Sequence, residues 1–247
     1  MSEKNFWKIR SEQYDKLRWV KDDTYLNKII QFCKPNHSDL VLDVGTGSGK
    51  VAKALKPFVN HVIGMDISAD MMSYNEWEGM SKICNDILNP IFKNNVFDLI
   101  TARMVFHHLI DITQGLYNCY FLLKNKGKLI IAESIPPSND NEVIKWWSYV
   151  RSYKEQRHTF SAEMLEASMY LVGFRNIKYQ YYYQKKEKSS TKEWLSNSKL
   201  SKEKQKIIYD LHLNAPDIVK KAHKMIITKN DIFCEHRHLI IKGEKNG

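Results

Sequence analysis

Residues 40–55, Leu-Val-Leu-Asp-Val-Gly-Thr-Gly-Ser-Gly-Lys-Val-Ala-Lys-Ala-Leu, constrain this chain more than any other stretch. Leu40, Val41, Leu42 and Val44 make a short apolar run, the signature of a strand buried on both faces. Gly45, Gly47 and Gly49 then alternate with small or polar residues. From Lys50 the pattern turns helical, with Val51, Ala54 and Leu55 at three- and four-residue spacing. A strand, a glycine turn and a helix in this order predict the first unit of an open parallel α/β sheet. Glycine permits positive φ and lets a ligand approach backbone N–H groups, so a binding site is expected at the carboxyl end of this strand.

The glycine spacing narrows the ligand. The third glycine stands one residue too early for the dinucleotide fingerprint, because position 50 is lysine. A phosphate-binding P-loop needs Ser or Thr after that lysine, and Val51 stands there instead. The pattern Asp43-x-Gly45-x-Gly47-x-Gly49 resembles the first motif of class I S-adenosylmethionine-dependent methyltransferases. That resemblance implies a Rossmann-like, seven-stranded, mostly parallel sheet with an antiparallel last strand and helical cap insertions. It also implies that Asp43, Gly45, Thr46, Gly47 and Gly49 hold the methionine part of S-adenosyl-L-methionine.

Later stretches extend the resemblance. Residues 61–66, His-Val-Ile-Gly-Met-Asp, predict a second strand ending in an acid 23 residues after Asp43. An acid about 20 residues past a glycine loop suits ribose hydroxyls, since a carboxylate accepts from both. Asp66 is assigned that place, and its neighbour Ile67 the adenine face. Residues 81–84 predict a third strand, followed by Asp86 and Ile87, where the family places the acid that accepts from the adenine amino group. Residues 96–102 predict the fourth strand, running into Arg103-Met104-Val105-Phe106-His107-His108-Leu109. The Asp/Asn-Pro-Pro-Tyr/Phe of nucleic-acid adenine methyltransferases is absent there. The stretch resembles the ubiquinone/menaquinone-type small-molecule methyltransferases, which implies that Arg103 and one of His107 or His108 sit beside the transferred methyl.

The remaining pattern is read in chain order. Residues 5–19 predict a helical N-terminal lid, about 1–20, with Trp7 and Tyr14 facing substrate or, equally, packing on the core. Helices are expected over 25–33, from Lys50 to the residue before Pro57, over 69–77 with core methionines Met71 and Met72, and over 112–123. A turn over 124–127 and a fifth strand over 128–133 follow. Residues 141–159 are rich in Trp, Tyr and Arg. Adjacent Trp146 and Trp147 cannot share a helical face, so one of them, Trp146, is expected to face a ligand, and the resemblance places Arg151 and Arg157 over a substrate pocket. A helix over 161–172, a sixth strand over 176–183, a mostly helical insertion over 187–228 and a last strand over 233–242 complete the pattern. One domain over 1–247 is expected, with cap segments about 138–160 and 185–230.

Composition bounds the rest. With 247 residues, 43% hydrophobic and 27% charged, the chain can build one sizeable α/β core. No apolar run is long enough to span a bilayer and no apolar signal core opens the chain, so a cytoplasmic protein is expected. Four scattered cysteines without a C-x-x-C pair suggest buried thiols, with neither a zinc site nor disulfides. The net charge of +10 fits nucleic acid, an acidic membrane surface or an anionic small substrate. Its lysines are spread out, and the one dense patch, residues 185–188, reads as a solvated loop, so a nucleic-acid partner is not expected.

These features together predict methyl transfer from S-adenosylmethionine to N, O or C of a small molecule, anionic or aromatic, by in-line displacement. The enzyme's work is then alignment and exclusion of water, with His107, His108 or His158 available as base. An RNA methyltransferase and a non-catalytic cofactor-binding subunit are the alternatives. Salt-sensitive RNA binding would mark the first, and cofactor binding without turnover the second.

Overall fold

The computed structural model describes residues 22–73, 76–153, 158–184, 189–196, 198 and 200–246. Trp7, Tyr14 and Arg157, the N-terminal lid and the lysine patch at 185–188 lie outside the described residues. The chain divides into two compact units. The first holds residues 1–133, 162–180 and 239–247, and the second holds 134–161 and 181–238.

The first unit is built on the expected sheet. Helix α1 (Asp23–Cys33) starts where the Asp22 side chain accepts from the Tyr25 amide, and it ends at Lys34, which takes a left-handed conformation. Strand β1 (Leu40–Val44) is buried along nearly its whole length, as its apolar run requires. Helix α2 (Lys50–Leu55), β2 (His61–Asp66), β3 (Ser81–Cys84), β4 (Phe97–Arg103), α3 (Ile112–Leu122) and β5 (Leu123–Ile135) follow. Helix α5 (Ala162–Val172) and most of β6 (Phe174–Tyr183) and β10 (Arg237–Lys245) complete it, after helix α4 (Asn141–Ser152) of the second unit. The sheet order is β3-β2-β1-β4-β5-β10-β6, mostly parallel with one antiparallel strand.

Register decides what meets at the carboxyl ends. Val44 pairs with Met65 on one side and with Ala102 on the other. Gly45, Asp66 and Arg103 therefore leave the sheet side by side. Asp66 in turn pairs with Cys84, which brings Asn85 and Asp86 alongside. Strand order reverses between β1 and β4, and open sheets bind ligands at such a switch point.

Three sequence expectations are corrected. Residues 69–73 form turns, not the start of a helix over 69–77: Met72 N donates to Ala69 O and Ser73 N to Asp70 O. The Met72 carbonyl accepts from Trp77 Nε1 and Lys82 Nζ, so it is engaged by side chains. The Trp77 ring fills the space that Gly64 and Gly49 leave open. Met71 and Met72 are nonetheless buried, as expected. The turn expected over 124–127 belongs to β5, with Lys126 at φ 64° and a register shift against β4 between Phe97 and Leu99. The last strand is broken: β9 (Ile232–Cys234) pairs in a separate small sheet, and β10 begins at Arg237. Between them Glu235 N donates to His223 O, and His236 O accepts from Gln184 N, so the backbone turns away from a single ladder.

The second unit packs α4 (Asn141–Ser152), α6 (Thr191–Ser196), α7 (Lys202–Leu213) and α8 (Asp217–Ala222) with a three-stranded sheet. That sheet runs β7 (Ser189–Ser190), β9, β8 (Ile226–Ile227), antiparallel throughout. Val143, Trp147 and Val150 recur at four- and three-residue spacing and are the buried face of α4. Val143 clusters with Ala215 and Val219, and Val150 with Leu195 and Ile208, with Trp146 against both. Cys33, Cys84, Cys119 and Cys234 are all free thiols. Among the described residues no helix is long and apolar enough to cross a membrane, and no group of His, Cys, Asp and Glu has a metal-holding arrangement.

Candidate functional site

The loop after β1 takes a backbone shape that favours glycine. Gly45, Gly47 and Gly49 sit at φ 60°, 54° and 77°. A Cβ on Gly45 would overlap the Val105 side chain. Thr46 N donates to Met65 O at 3.0 Å and Gly47 N to Asp66 Oδ2 at 2.8 Å, so the loop is tied to the end of β2. Asp43 braces it from behind. Its carboxylate is 2% exposed and accepts from Thr46 Oγ1 at 2.7 Å and Thr101 Oγ1 at 2.8 Å. Burial pushes the Asp43 carboxyl up to about 6, against the pull of the two hydroxyls, a backbone bond and the Arg103 charge. Arg103 is itself buried, its guanidinium 5.4 Å from the centre of the Tyr25 ring.

The ends of β1 to β4 enclose a cavity of about 220 Å³. Gly45 and Gly47 line one side, Asp66 and Ile67 the next, then Asn85 to Leu88 beyond β3. Met104, Val105 and His108 to Ile110 close it from the β4 side. Met71, Leu88 and Leu109 make much of the lining apolar, and Ile110 is 88% exposed. Asp66 accepts from Ser68 N at 2.9 Å through Oδ1, besides Gly47 N on Oδ2. Burial raises its pKa, and the Ser68 and Gly47 amides oppose the shift. Asp86 Oδ1 accepts from Leu88 N at 2.9 Å. An ionised carboxylate has about four acceptor positions, so both acids keep capacity for a ligand's donors.

The two histidines after β4 divide. The short 3₁₀ turn Phe106–His108 buries His107, whose Nδ1 lies 2.6 Å from Glu133 Oε2. His108 lines the cavity. Their ring centroids are 4.1 Å apart with planes at 40°.

The structure thus brings Gly45, Gly47, Asp66, Ile67, Asp86, Ile87 and His108 onto one cavity. Asp43, Thr46, Gly49, Arg103 and His107 are not part of its lining. Trp146, Arg151 and His158 belong to the second unit. There the Arg151 guanidinium lies 4.2 Å over the Trp147 ring and 5.6 Å from that of Trp194. Trp146 meets His212 edge to face at 5.1 Å, and exposed His158 stacks on Phe160. Sequence reasoning missed Asn85, Leu88, Met104 and Val105 in the lining, and Glu133 behind it. Glu133 carried a usable signal, an acid closing an apolar strand as Asp66 does. Met104, a non-glycine residue at φ 60°, carried none.

Comparison with known proteins agrees with this geometry. Residues 18–179 match the methyltransferase domain family. Demethylmenaquinone methyltransferase of Thermotoga maritima is 30% identical over 147 residues, covering 56% of this chain and 64% of that enzyme. The chain matches about half to just under two thirds of the length of the first curated relatives. The YcgJ protein of Bacillus subtilis superposes with a TM-score of 0.81 at 19% identity, over 91% of this chain and 99% of that one. A phosphoethanolamine N-methyltransferase 2 of Haemonchus contortus, solved with phosphomonomethylethanolamine and S-adenosylhomocysteine, gives a TM-score of 0.60 at 17% identity. That match covers 90% of this chain and 52% of the other. At such identities the superpositions establish the fold. A glycine loop braced by a buried aspartate, two acids at successive strand ends and a match across most of the chain make this protein a member of the methyltransferase domain family.

Proposed function

We propose that this chain transfers the methyl group of S-adenosylmethionine to a small-molecule acceptor. One observation carries the reading: Gly45, Gly47, Asp66, Asp86 and His108 converge on a single apolar-walled cavity. The residues fit the cofactor. Side chains are absent where Gly45 and Gly47 line the wall, and Asp66 and Asp86 offer acceptors at the ends of adjacent strands. Asp66 would hold the ribose hydroxyls, Asp86 the adenine amino group, and Ile67 and Ile87 the faces of the base. Asp43 and Thr46 act one layer back, by keeping the loop in shape.

When bound, S-adenosylmethionine supplies an electrophilic sulfonium methyl. The protein's share is to align the acceptor, exclude water and hold a proton. His108 is the group on the cavity wall suited to that proton, since an imidazole can both accept and release one. His107 is engaged with Glu133 and serves the loop. Two of the proteins named above are methyltransferases of demethylmenaquinone and of phosphoethanolamine, both small molecules, which supports a small acceptor here.

Calorimetry with S-adenosylmethionine tests the cofactor. Transfer of a labelled methyl group to the small-molecule fraction of a cell extract, and not to its RNA fraction, tests the acceptor. Absence of cofactor binding refutes the reading, and label only in RNA replaces the small molecule with RNA.

A further inference from the structure

We propose that Glu133 is a positioning residue: it fixes the tautomer of His107 and, through that ring and the loop backbone, the presentation of His108 to the cavity. The inference rests on the methyltransferase reading, in which His108 takes the acceptor's proton.

Glu133 sits near the end of β5 and is fully buried. A buried carboxylate is tolerated only when donors surround it. Three donors come from the loop after β4: Val105 N at 3.0 Å and His107 N at 3.3 Å on Oε1, and His107 Nδ1 at 2.6 Å on Oε2. The residue before Glu133 adds a fourth tie, since Met104 N donates to Ala132 O at 2.8 Å. These bonds hold Met104 in the left-handed region at φ 60°, a conformation unfavourable for a residue with a side chain. The end of β5 therefore sets the shape of the loop that forms one cavity wall.

The same bonds specify the imidazole. With its proton on Nδ1 toward Glu133, His107 has Nε2 as its basic nitrogen. The ring is fixed at both ends of its side chain, by its own amide and by Nδ1, on one carboxylate. His108 follows directly, with its amide donating to Val105 O at 2.8 Å and its ring packed on that of His107. Loosening Glu133 thus moves both rings, and only His108 reaches the cavity.

The test is Glu133→Gln in the full chain, read by imidazole ¹⁵N spectra across pH, thermal melting and calorimetry with S-adenosylhomocysteine. Gln keeps the volume and can still accept from the two backbone amides through its oxygen, but its NH2 then faces Nδ1 as a donor, so Nδ1 can no longer carry the proton. The expected result is loss of the single Nδ1–H tautomer at His107 and a shift in the His108 titration midpoint of about half a pH unit or more. S-adenosylhomocysteine should still bind, since Asp66 and Asp86 make no bond to Glu133, with an affinity that follows any shift of Met104 and Val105 on the cavity wall. A lowered melting temperature with both histidine titrations unchanged overturns the proposal, because it marks a purely structural carboxylate. Should the variant not fold, His107→Asn replaces it: Asn keeps a donor near the Nδ1 position, so Glu133 stays bonded while the ring is lost. An unmoved His108 titration in that variant overturns the proposal equally. Wild-type protein that fails to bind S-adenosylhomocysteine refutes the methyltransferase reading, whereas the histidine titrations judge Glu133 without any ligand.

Discussion

Acid should destabilise the second unit through its buried imidazoles, and His223 is the residue to perturb. Burial pushes His212 and His223 down to about 4, and His236 well below its ordinary value. His223 Nδ1 bonds Glu235 O at 3.1 Å, and its ring stacks on Trp147 at 5.4 Å. Besides burial, His212 and the Arg151 charge stand close enough to disfavour a further proton on it. An imidazole with a lowered folded pKa is protonated in the unfolded chain first. Its stabilisation is complete above pH 6.5 and is lost as pH falls through 4. A shift from 6.5 to about 4 corresponds to about 3 kcal/mol, and near pH 5 to a slope of about 1 kcal/mol per pH unit for one histidine. Asp43 has the opposite sign, since its carboxyl is raised from 3.8 to about 6 and its contribution is lost as pH rises. The total pH dependence therefore mixes both, and a difference between variants isolates one group. His223→Asn keeps a donor toward Glu235 O and removes the titration. Urea unfolding followed by tryptophan fluorescence, at pH 4.5 to 7.5 and constant ionic strength, should show the variant less stable at pH 7. Its slope near pH 5 should be shallower by about 1 kcal/mol per pH unit. Equal slopes in the two proteins would mean that His223 is not held neutral, and the burial argument would fail.

Other outcomes follow from the first unit. Asp66→Ala should weaken S-adenosylmethionine binding by roughly 1.5–3 kcal/mol, because it removes ribose acceptors and the anchor of Gly47 N; unchanged affinity by calorimetry in a folded variant refutes the assignment. Gly45→Ala should lower stability by about 1–3 kcal/mol, through positive φ and overlap with Val105. Adding Val105→Ala should recover part of that loss in denaturant titrations, and no recovery would leave φ as the sole cause. Thr101→Val removes a 2.8 Å bond to buried Asp43 and should cost about 1–3 kcal/mol at pH 7.5. The loss should shrink at pH 5, where Asp43 is protonated; a pH-independent loss would show that the bond does not depend on the charge.

Much of the first unit was legible because its signals are local. A strand buried on both faces, left-handed glycines and acids at strand ends each leave their mark within a few residues, and these determined the fold class, the sheet and the places of Gly45, Gly47, Asp66 and Asp86. Tertiary structure decided what depends on partners distant in sequence. Asp43 reads as a ligand contact, yet Thr101, 58 residues away, turns it into a brace behind the loop. Trp77 fills the space left by Gly64 and Gly49, and residues 69–73 before it form turns where periodicity suggests a helix. His107 and His108 are equivalent in the sequence; Glu133, 26 residues beyond His107, claims one ring and leaves the other on the cavity wall. In each case the deciding interaction is a buried polar group or a large ring finding its partner across the sheet, and no spacing along the chain encodes that pairing.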